Sequence, residues 1–205
     1  FDIQGMGAQS AEAYHHLIEA IRISFADAFE YVADPRKASV PTAELMSKAF
    51  ADQRRGLINP TQAMKTVPYG QITPGSDTVY ISCVDGEGNA CSFINSIFSN
   101  FGSGLVVPGT GMVLHNRASL FSLDSQHRNA LEGGKRPFHT IIPAMATKND
   151  ELYLCYGVMG AFMQPQGHLQ VISNMVDFGM DPQEALNALR FLVSGDSVTL
   201  EEGIS

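Results

Sequence analysis

The stretch Thr78-Val79-Tyr80-Ile81-Ser82-Cys83-Val84-Asp85-Gly86-Glu87-Gly88-Asn89-Ala90-Cys91-Ser92-Phe93-Ile94-Asn95-Ser96 decides how this chain is read. Val79, Ile81 and Cys83 alternate with Tyr80, Ser82 and Val84, a period of two that belongs to a strand. β-Branched and aromatic side chains suit such a pleated surface. Asp85 to Asn89, with glycines at 86 and 88, reads as a tight turn, and Ala90 to Ser96 reads as the returning strand. A hairpin headed by Thr78 is therefore predicted, preceded by Gly75-Ser76-Asp77.

Beyond the hairpin, Leu105-Val106-Val107, Met112-Val113-Leu114, Ile141-Ile142 and Leu152 to Tyr156 read as further short strands. Two helices are expected to close the chain. One spans about Gln164 to Phe178 with Gly179 as its C′ residue. The other starts at Asp181-Pro182-Gln183-Glu184, where cap, first-position proline and Glu three after the cap agree. Ahead of the hairpin, Leu17, Ile18, Ile21, Phe25 and Phe29 recur at helical spacing from Ser10 to Tyr31, with Ser10 as N-cap. Asp34-Pro35 ends that helix. A second is expected from Thr42, as cap, to Arg55, burying Leu45, Ala49 and Phe50 and closed by Gly56. Residues 57–77 have the Pro/Gly composition of an exposed linker. Strands flanked by helices imply an α+β chain with helix–sheet–sheet–helix layering.

At 205 residues and 44% apolar content the chain can bury a sizeable core, and one domain is the natural expectation. Its 19 glycines and 10 prolines argue for many turns rather than a helical bundle. A net charge of −8 with 13 scattered basic residues argues against nucleic acid as a partner. No apolar run approaches membrane-spanning length, so no membrane partner is expected. The start Phe1-Asp2-Ile3-Gln4-Gly5-Met6 shows no signal peptide and reads as the middle of a longer protein. Cys83, Cys91 and Cys155 lack metal-type or CxxC spacing. They read as buried small hydrophobes, with a hairpin disulfide geometrically conceivable, and mildly favour a reducing, cytoplasmic compartment. No metal or organic cofactor is suggested.

The hairpin is followed in order by Phe101-Gly102-Ser103-Gly104, Gly134-Lys135-Arg136-Pro137 and Gly157-Val158-Met159-Gly160-Ala161. That order resembles the small subunit of the gamma-glutamyltranspeptidase family, N-terminal nucleophile hydrolases made as precursors that cut themselves before a threonine. The resemblance implies a four-layer αββα sandwich of which this chain is the C-terminal portion. Residues 1–77 would be the end of the large-subunit region with its processing linker, and 78–205 the small-subunit catalytic region. It implies autocleavage between Asp77 and Thr78, with Thr78 as nucleophile of both cutting and catalysis. The remaining precursor becomes the partner, in a heterodimer after processing.

A threonine hydroxyl needs a base. None of the six histidines sits in a nucleophile-elbow context. An N-terminal threonine carries its own base, since an α-amine titrates at about 7.7–8.0. Acyl-transfer oxyanions are commonly held by backbone N–H donors, each contributing about 3–4 kcal/mol. By resemblance these are Gly160 and Ala161, and Ser96 is the hydroxyl that orients the nucleophile. Alone, a glycine turn between strand and helix is a packing feature, and a strand-end serine satisfies local backbone.

The resemblance fails selectively where the family holds a glutamyl group. Leu120 replaces the aspartate that pairs with the α-amine, His139-Thr140 replaces a serine pair, and Phe98 replaces an asparagine. An apolar side chain leaves a buried ammonium unpartnered. Asp77-Thr78-Val79-Tyr80, Asn116-Arg117, Phe121-Ser122-Leu123-Asp124 and Gly134 to Thr140 instead resemble the oxamate amidohydrolase branch. Its substrate carries a carboxylate beside the amide. Arg117 and Arg136 are then candidates for a carboxylate clamp, with His139 and Thr140 as further substrate-binding positions. A lone arginine is more often an ordinary surface charge, and His139 could equally serve a neighbouring carbonyl. The expected function is self-processing hydrolysis of a small, oxamate-like amide through an acyl-threonine. The alternatives are a true gamma-glutamyltransferase or glutathione hydrolase, and an uncleaved, inactive interaction module.

Overall fold

The computed structural model describes residues 1–67 and 77–204, Asp77 by its backbone alone. In chain order the elements are α1 (Ile3–Met6), α2 (Ala11–Tyr31), α3 (Thr42–Leu45), α4 (Lys48–Arg55), β1 (Asp77–Val84), β2 (Ala90–Phe98), a 3-10 turn (Arg117–Leu120), β3 (Ala144–Lys148), β4 (Glu151–Tyr156), α5 (Met163–Val176), α6 (Pro182–Asn187), β5 (Phe191–Ser194) and β6 (Ser197–Leu200). The architecture is mixed α/β. Among the described residues the strands form three antiparallel pairs, β1–β2, β3–β4 and β5–β6. The chain divides into two compact units, one of Phe1–Ile72, Phe121–Phe138 and Leu169–Ser205, the other of Thr73–Leu120 and His139–His168.

The first unit is organised by α2. Ser10 caps it by accepting from the Ala13 N–H at 3.0 Å, which satisfies an otherwise orphaned donor. Its apolar stripe, including Ala13, Leu17, Ile21 and Phe25, is buried, as are Phe191 and Val193 of β5. The Tyr14 ring meets Phe191 edge-on and its hydroxyl donates to the Leu189 carbonyl at 2.9 Å. The Gln170 amide completes β5 by serving both the N–H (2.9 Å) and the carbonyl (3.0 Å) of Phe191. Within α2, buried Glu19 accepts from Arg22 at 2.8 Å and from the Met64 N–H at 2.8 Å. Arg22 in turn donates to the Met64 carbonyl at 2.9 Å. Past the end of α2, the buried Asp34 carboxylate gathers Arg36 Nε, Arg36 Nη2 and the backbone N–H of Arg136 at 2.7–3.0 Å. The Arg36 side chain first, then the Arg136 N–H, hold that carboxyl far below the usual carboxylate range.

Several expectations are corrected here. The helix expected over Thr42–Arg55 is two helices. Pro41, not Thr42, occupies the first N-cap, and Ser47 caps the second by accepting from Phe50 N–H at 3.1 Å. Leu45 and Phe50 are half-buried and Ala49 is exposed. The 57–77 linker is not uniformly exposed, because Ile58 and Val67 are buried; residues 68–76 of it lie outside the described residues. Residues Ile141-Ile142 are not strand, and the 105–107 and 112–114 segments meet only in a Val106–Val113 bridge. α5 stops at Val176, with Gly179 at φ +68°. A β5–β6 hairpin follows α6, where only helix was expected. Helix α6 carries the full capping box at Asp181 and Glu184.

The second unit is built on the expected hairpin, whose returning strand runs two residues further, to Phe98. The register pairs Val84 with Ala90 at the turn and Thr78 with Ser96 at the open end, with an irregularity between Asp77 and Thr78. Asp85 organises the turn, its Oδ1 accepting from the N–H groups of Glu87 and Asn89, both at 2.9 Å. Cys83 faces Cys91 across the pair, and both are exposed free thiols rather than buried hydrophobes. Val79, Ile81 and Phe93 are also exposed on this hairpin.

Candidate active site

Thr78 is buried at the first regular pair of β1–β2. Side chains of directly opposed residues lie on one face with Cβ atoms about 4.5–5.5 Å apart. Thr78 Oγ1 accordingly donates to Ser96 Oγ at 3.1 Å. Ser96 Oγ also accepts the Phe98 N–H at 3.0 Å. That second bond closes because the backbone turns back at Phe98, whose φ is +80°. A bulky residue with such a φ is a genuine outlier. Of the sequence-nominated residues, the structure thus brings Thr78 and Ser96 together directly.

Arg117 is joined to this end of β2 through its neighbours. The Asn116 N–H donates to the Ile97 carbonyl at 3.2 Å, and the Ser99 N–H donates to Asn116 Oδ1 at 3.0 Å. Strapped in this way, Arg117 lies with its guanidinium carbon 5.2 Å from the centre of the Phe98 ring. The residue is only 7% exposed, and its Nε and Nη1 find no hydrogen-bond partner. Burial lowers its pKa, yet a guanidinium stays charged in proteins. A buried cation with unused donors is costly unless an anion meets it.

Tyr80 lies two residues beyond Thr78 on the same side of β1. Its hydroxyl meets Ser92 Oγ at 3.0 Å and Cys155 Sγ at 3.4 Å. Ser92 Oγ also reaches the Ala144 carbonyl at 3.0 Å. Desolvation first, then the bond to Cys155, raises the Tyr80 pKa. These contacts tie the hairpin to the end of β4, from which Gly157-Val158-Met159-Gly160-Ala161 emerges. A Cβ at Gly157 would run into the Tyr80 ring, so only glycine fits there. Gly160 has φ +112° and Ala161 φ +49°. Their carbonyls accept from Met163 and Gln164 N–H groups at 2.8 and 3.1 Å, opening α5. Ala161 is an alanine in left-handed backbone, a conformation glycine adopts more cheaply.

His139 is exposed and Thr140 is buried with Oγ1 unpartnered. With its amide nitrogen assigned to face them, fully buried Gln164 donates to the carbonyls of Thr140 (2.7 Å) and Val158 (3.3 Å). Arg136 belongs to the other compact unit, where its exposed guanidinium lies 3.5 Å from Asp34. Sequence reading missed Tyr80 and Gln164. Tyr80 could have been found, since a period of two places it on the Thr78 face. Gln164 carried no such signal. Among the described residues no cluster of His, Cys, Asp or Glu is arranged to hold a metal.

A family profile described as Gamma-glutamyltranspeptidase matches residues 1–205. The chain is similar to the glutathione hydrolase-like YwrD proenzyme of Bacillus subtilis, 39% identical over 94% of this chain and 36% of that protein. It is also similar to the oxamate amidohydrolase proenzyme of Klebsiella pneumoniae, 38% identical over 95% of this chain and 37% of that one. Among solved structures, cephalosporin acylase from Bacillus halodurans superimposes with a TM-score of 0.87 at 44% identity, covering 100% of this chain and 38% of the other. The chain thus spans a little over one third of the length of these relatives. With the hairpin, the Ser96 partner and the Gly157–Ala161 turn already in place, this agreement over the whole chain means that the chain belongs to the gamma-glutamyltranspeptidase family.

Proposed function

We propose that this chain is the C-terminal portion of a self-processing amidohydrolase in which Thr78 is the nucleophile and the substrate is a small amide bearing a carboxylate, of the oxamate type. The observation that carries the reading is the pairing of Thr78 Oγ1 with Ser96 Oγ at 3.1 Å, on a strand whose Phe98 ring packs against a buried Arg117 with unused donors. The Thr78 oxygen attacks the Asp77 carbonyl, the C–N bond breaks, and the acyl group passes to oxygen while the nitrogen takes the proton. Water then cleaves the ester, leaving an Asp77 carboxylate and a free Thr78 amine. That amine is the base for the second reaction. The hydroxyl adds to the substrate amide, ammonia leaves, and water releases the acid. Gly160 and Ala161 supply N–H groups for both oxyanions, and Arg117, Arg136, His139 and Thr140 bind substrate.

On this reading residues 1–77 end the large-subunit region and 78–205 form the catalytic small subunit. Together with the rest of the precursor they complete a four-layer αββα sandwich, which persists as a heterodimer after cutting. Similarity to an oxamate amidohydrolase proenzyme supports the substrate class, as does the absence of an acid at Leu120. The test is intact mass of the full-length precursor together with two substrates. Two fragments with Thr78 at a new N-terminus, and faster ammonia release from oxamate than amine release from a γ-glutamyl anilide, are expected. An intact chain after prolonged incubation overturns the mechanism, and the reverse substrate order overturns the specificity.

A further inference from the structure

Phe98 touches both Ser96 and the buried Arg117 guanidinium. Its N–H donates to Ser96 Oγ, and its ring lies against Arg117. Both contacts depend on the same left-handed backbone, φ +80°, which a phenylalanine adopts at a cost. Such strain persists only where surrounding structure over-determines it. Here the determinants are visible: the Ser96 bond on one side, and the Asn116 strap on the other, with Asn116 N–H on the Ile97 carbonyl and Asn116 Oδ1 on the Ser99 N–H. Phe98 is itself buried, at 6% exposure. The aromatic face therefore meets Arg117 away from water, where a cation–π contact is strongest.

We propose that Phe98 is a specificity-determining residue, whose ring holds the Arg117 guanidinium so that its unused donors take the substrate carboxylate. The inference rests on the proposed role of Thr78 and on Arg117 as the carboxylate anchor. An aromatic face neutralises no charge, so it orients the guanidinium without competing for it, as an acidic residue in the same place would. Selection for an anionic amide is thus built from one stacked pair.

The experiment uses the full-length precursor with Phe98→Asn, Phe98→Leu and Phe98→Tyr. Asparagine tolerates positive φ and keeps the N–H toward Ser96, leucine keeps apolar bulk, and tyrosine keeps the aromatic face. Each variant is first checked for cutting before Thr78. The readout is the ratio of KM for oxamate to KM for its neutral ethyl ester. Loss of the ring is expected to raise that ratio about tenfold in Phe98→Asn and Phe98→Leu, with Phe98→Tyr staying within about threefold of the natural protein. If Phe98→Asn fails to cut itself, Phe98→Leu carries the comparison. An unchanged ratio in a ring-less variant, or an equal rise in Phe98→Tyr, overturns the inference. Failure of the unmodified precursor to cut at all overturns instead the role given to Thr78.

Discussion

Thr78 and Ser96 are opposed residues of one antiparallel pair, and their hydroxyls meet at 3.1 Å with Thr78 as donor. The direction matters. Ser96 Oγ already accepts the Phe98 N–H, so both contacts draw on its lone pairs. The Thr78 hydroxyl is thus held in place through its own proton. A hydroxyl held in this way loses little entropy on reaching a near-attack geometry.

Thr78→Ala is therefore expected to abolish self-cleavage, and Ser96→Ala to slow it by about tenfold or more. Appearance of the Thr78-headed fragment, followed by mass spectrometry over hours, checks both. Cleavage at the natural rate in Ser96→Ala would show that the pairing is incidental.

Gly157→Ala should destabilise the protein by about 1–3 kcal/mol, because the new methyl overlaps the Tyr80 ring. For a domain of this size that is a fall of roughly 2–12 °C in Tm. Adding Tyr80→Leu opens space, so the double variant should lose less than the sum of the single changes. Calorimetry on all three proteins measures the coupling.

The Glu19–Arg22 pair is buried on both sides, at 1% and 6% side-chain exposure. Glu19→Ala leaves the buried guanidinium only the exposed Asp196 carboxylate, at 3.6 Å, as counter-charge and removes the acceptor of the Met64 N–H. Removal of one partner of such a pair typically costs about 3–5 kcal/mol. Denaturant midpoints should fall accordingly, while Glu19→Gln, which fills the same space and keeps one of the two acceptor oxygens, should lose less.

Asp34 predicts an acid limit to stability. Its pKa is depressed in the folded protein by Arg36 and the Arg136 N–H, relative to about 3.9 when unfolded. A depressed carboxyl contributes stability that is fully present above the unfolded value. This contribution is lost as pH falls from there toward the folded one. Thermal scans should thus show Tm dropping below about pH 4. Asp34→Asn should be less stable at neutral pH and should flatten that slope.

How much of this was legible in the residues differs from element to element. Helix α2 was, because Ser10 and an apolar stripe of helical period agree. The β1–β2 hairpin was, because alternation and a Gly86/Gly88 turn agree, and its register then places Thr78 against Ser96. The break between α3 and α4 was hidden, since Leu45, Ala49 and Phe50 keep helical spacing straight across it. Ser47 was the overlooked cap. The β5–β6 hairpin did carry a signal: Gly195, at φ +67°, and Asp196 form a two-residue turn between apolar runs. It was overridden by the strong helix start at Asp181. Burial of Arg117 was not readable at all, because charge and spacing do not say which arginine the chain will fold over. Nor was the Asp34–Arg136 contact, which joins residues 102 positions apart.

The five-residue bend from Asp85 to Asn89 has a reach well beyond its own atoms. Surface loops ordinarily accept an added or lost residue at little cost. Here one extra residue that slid the ladder by a single step would rotate every downstream side chain to the opposite face. Ser96 would then point away, and Asn95 or Ile97 would confront the threonine. The length of a solvent-exposed connection seven positions from the hydroxyl is thus a chemical parameter. Among natural or engineered variants, those with altered length at this bend are the ones whose chemistry should fail while their fold survives.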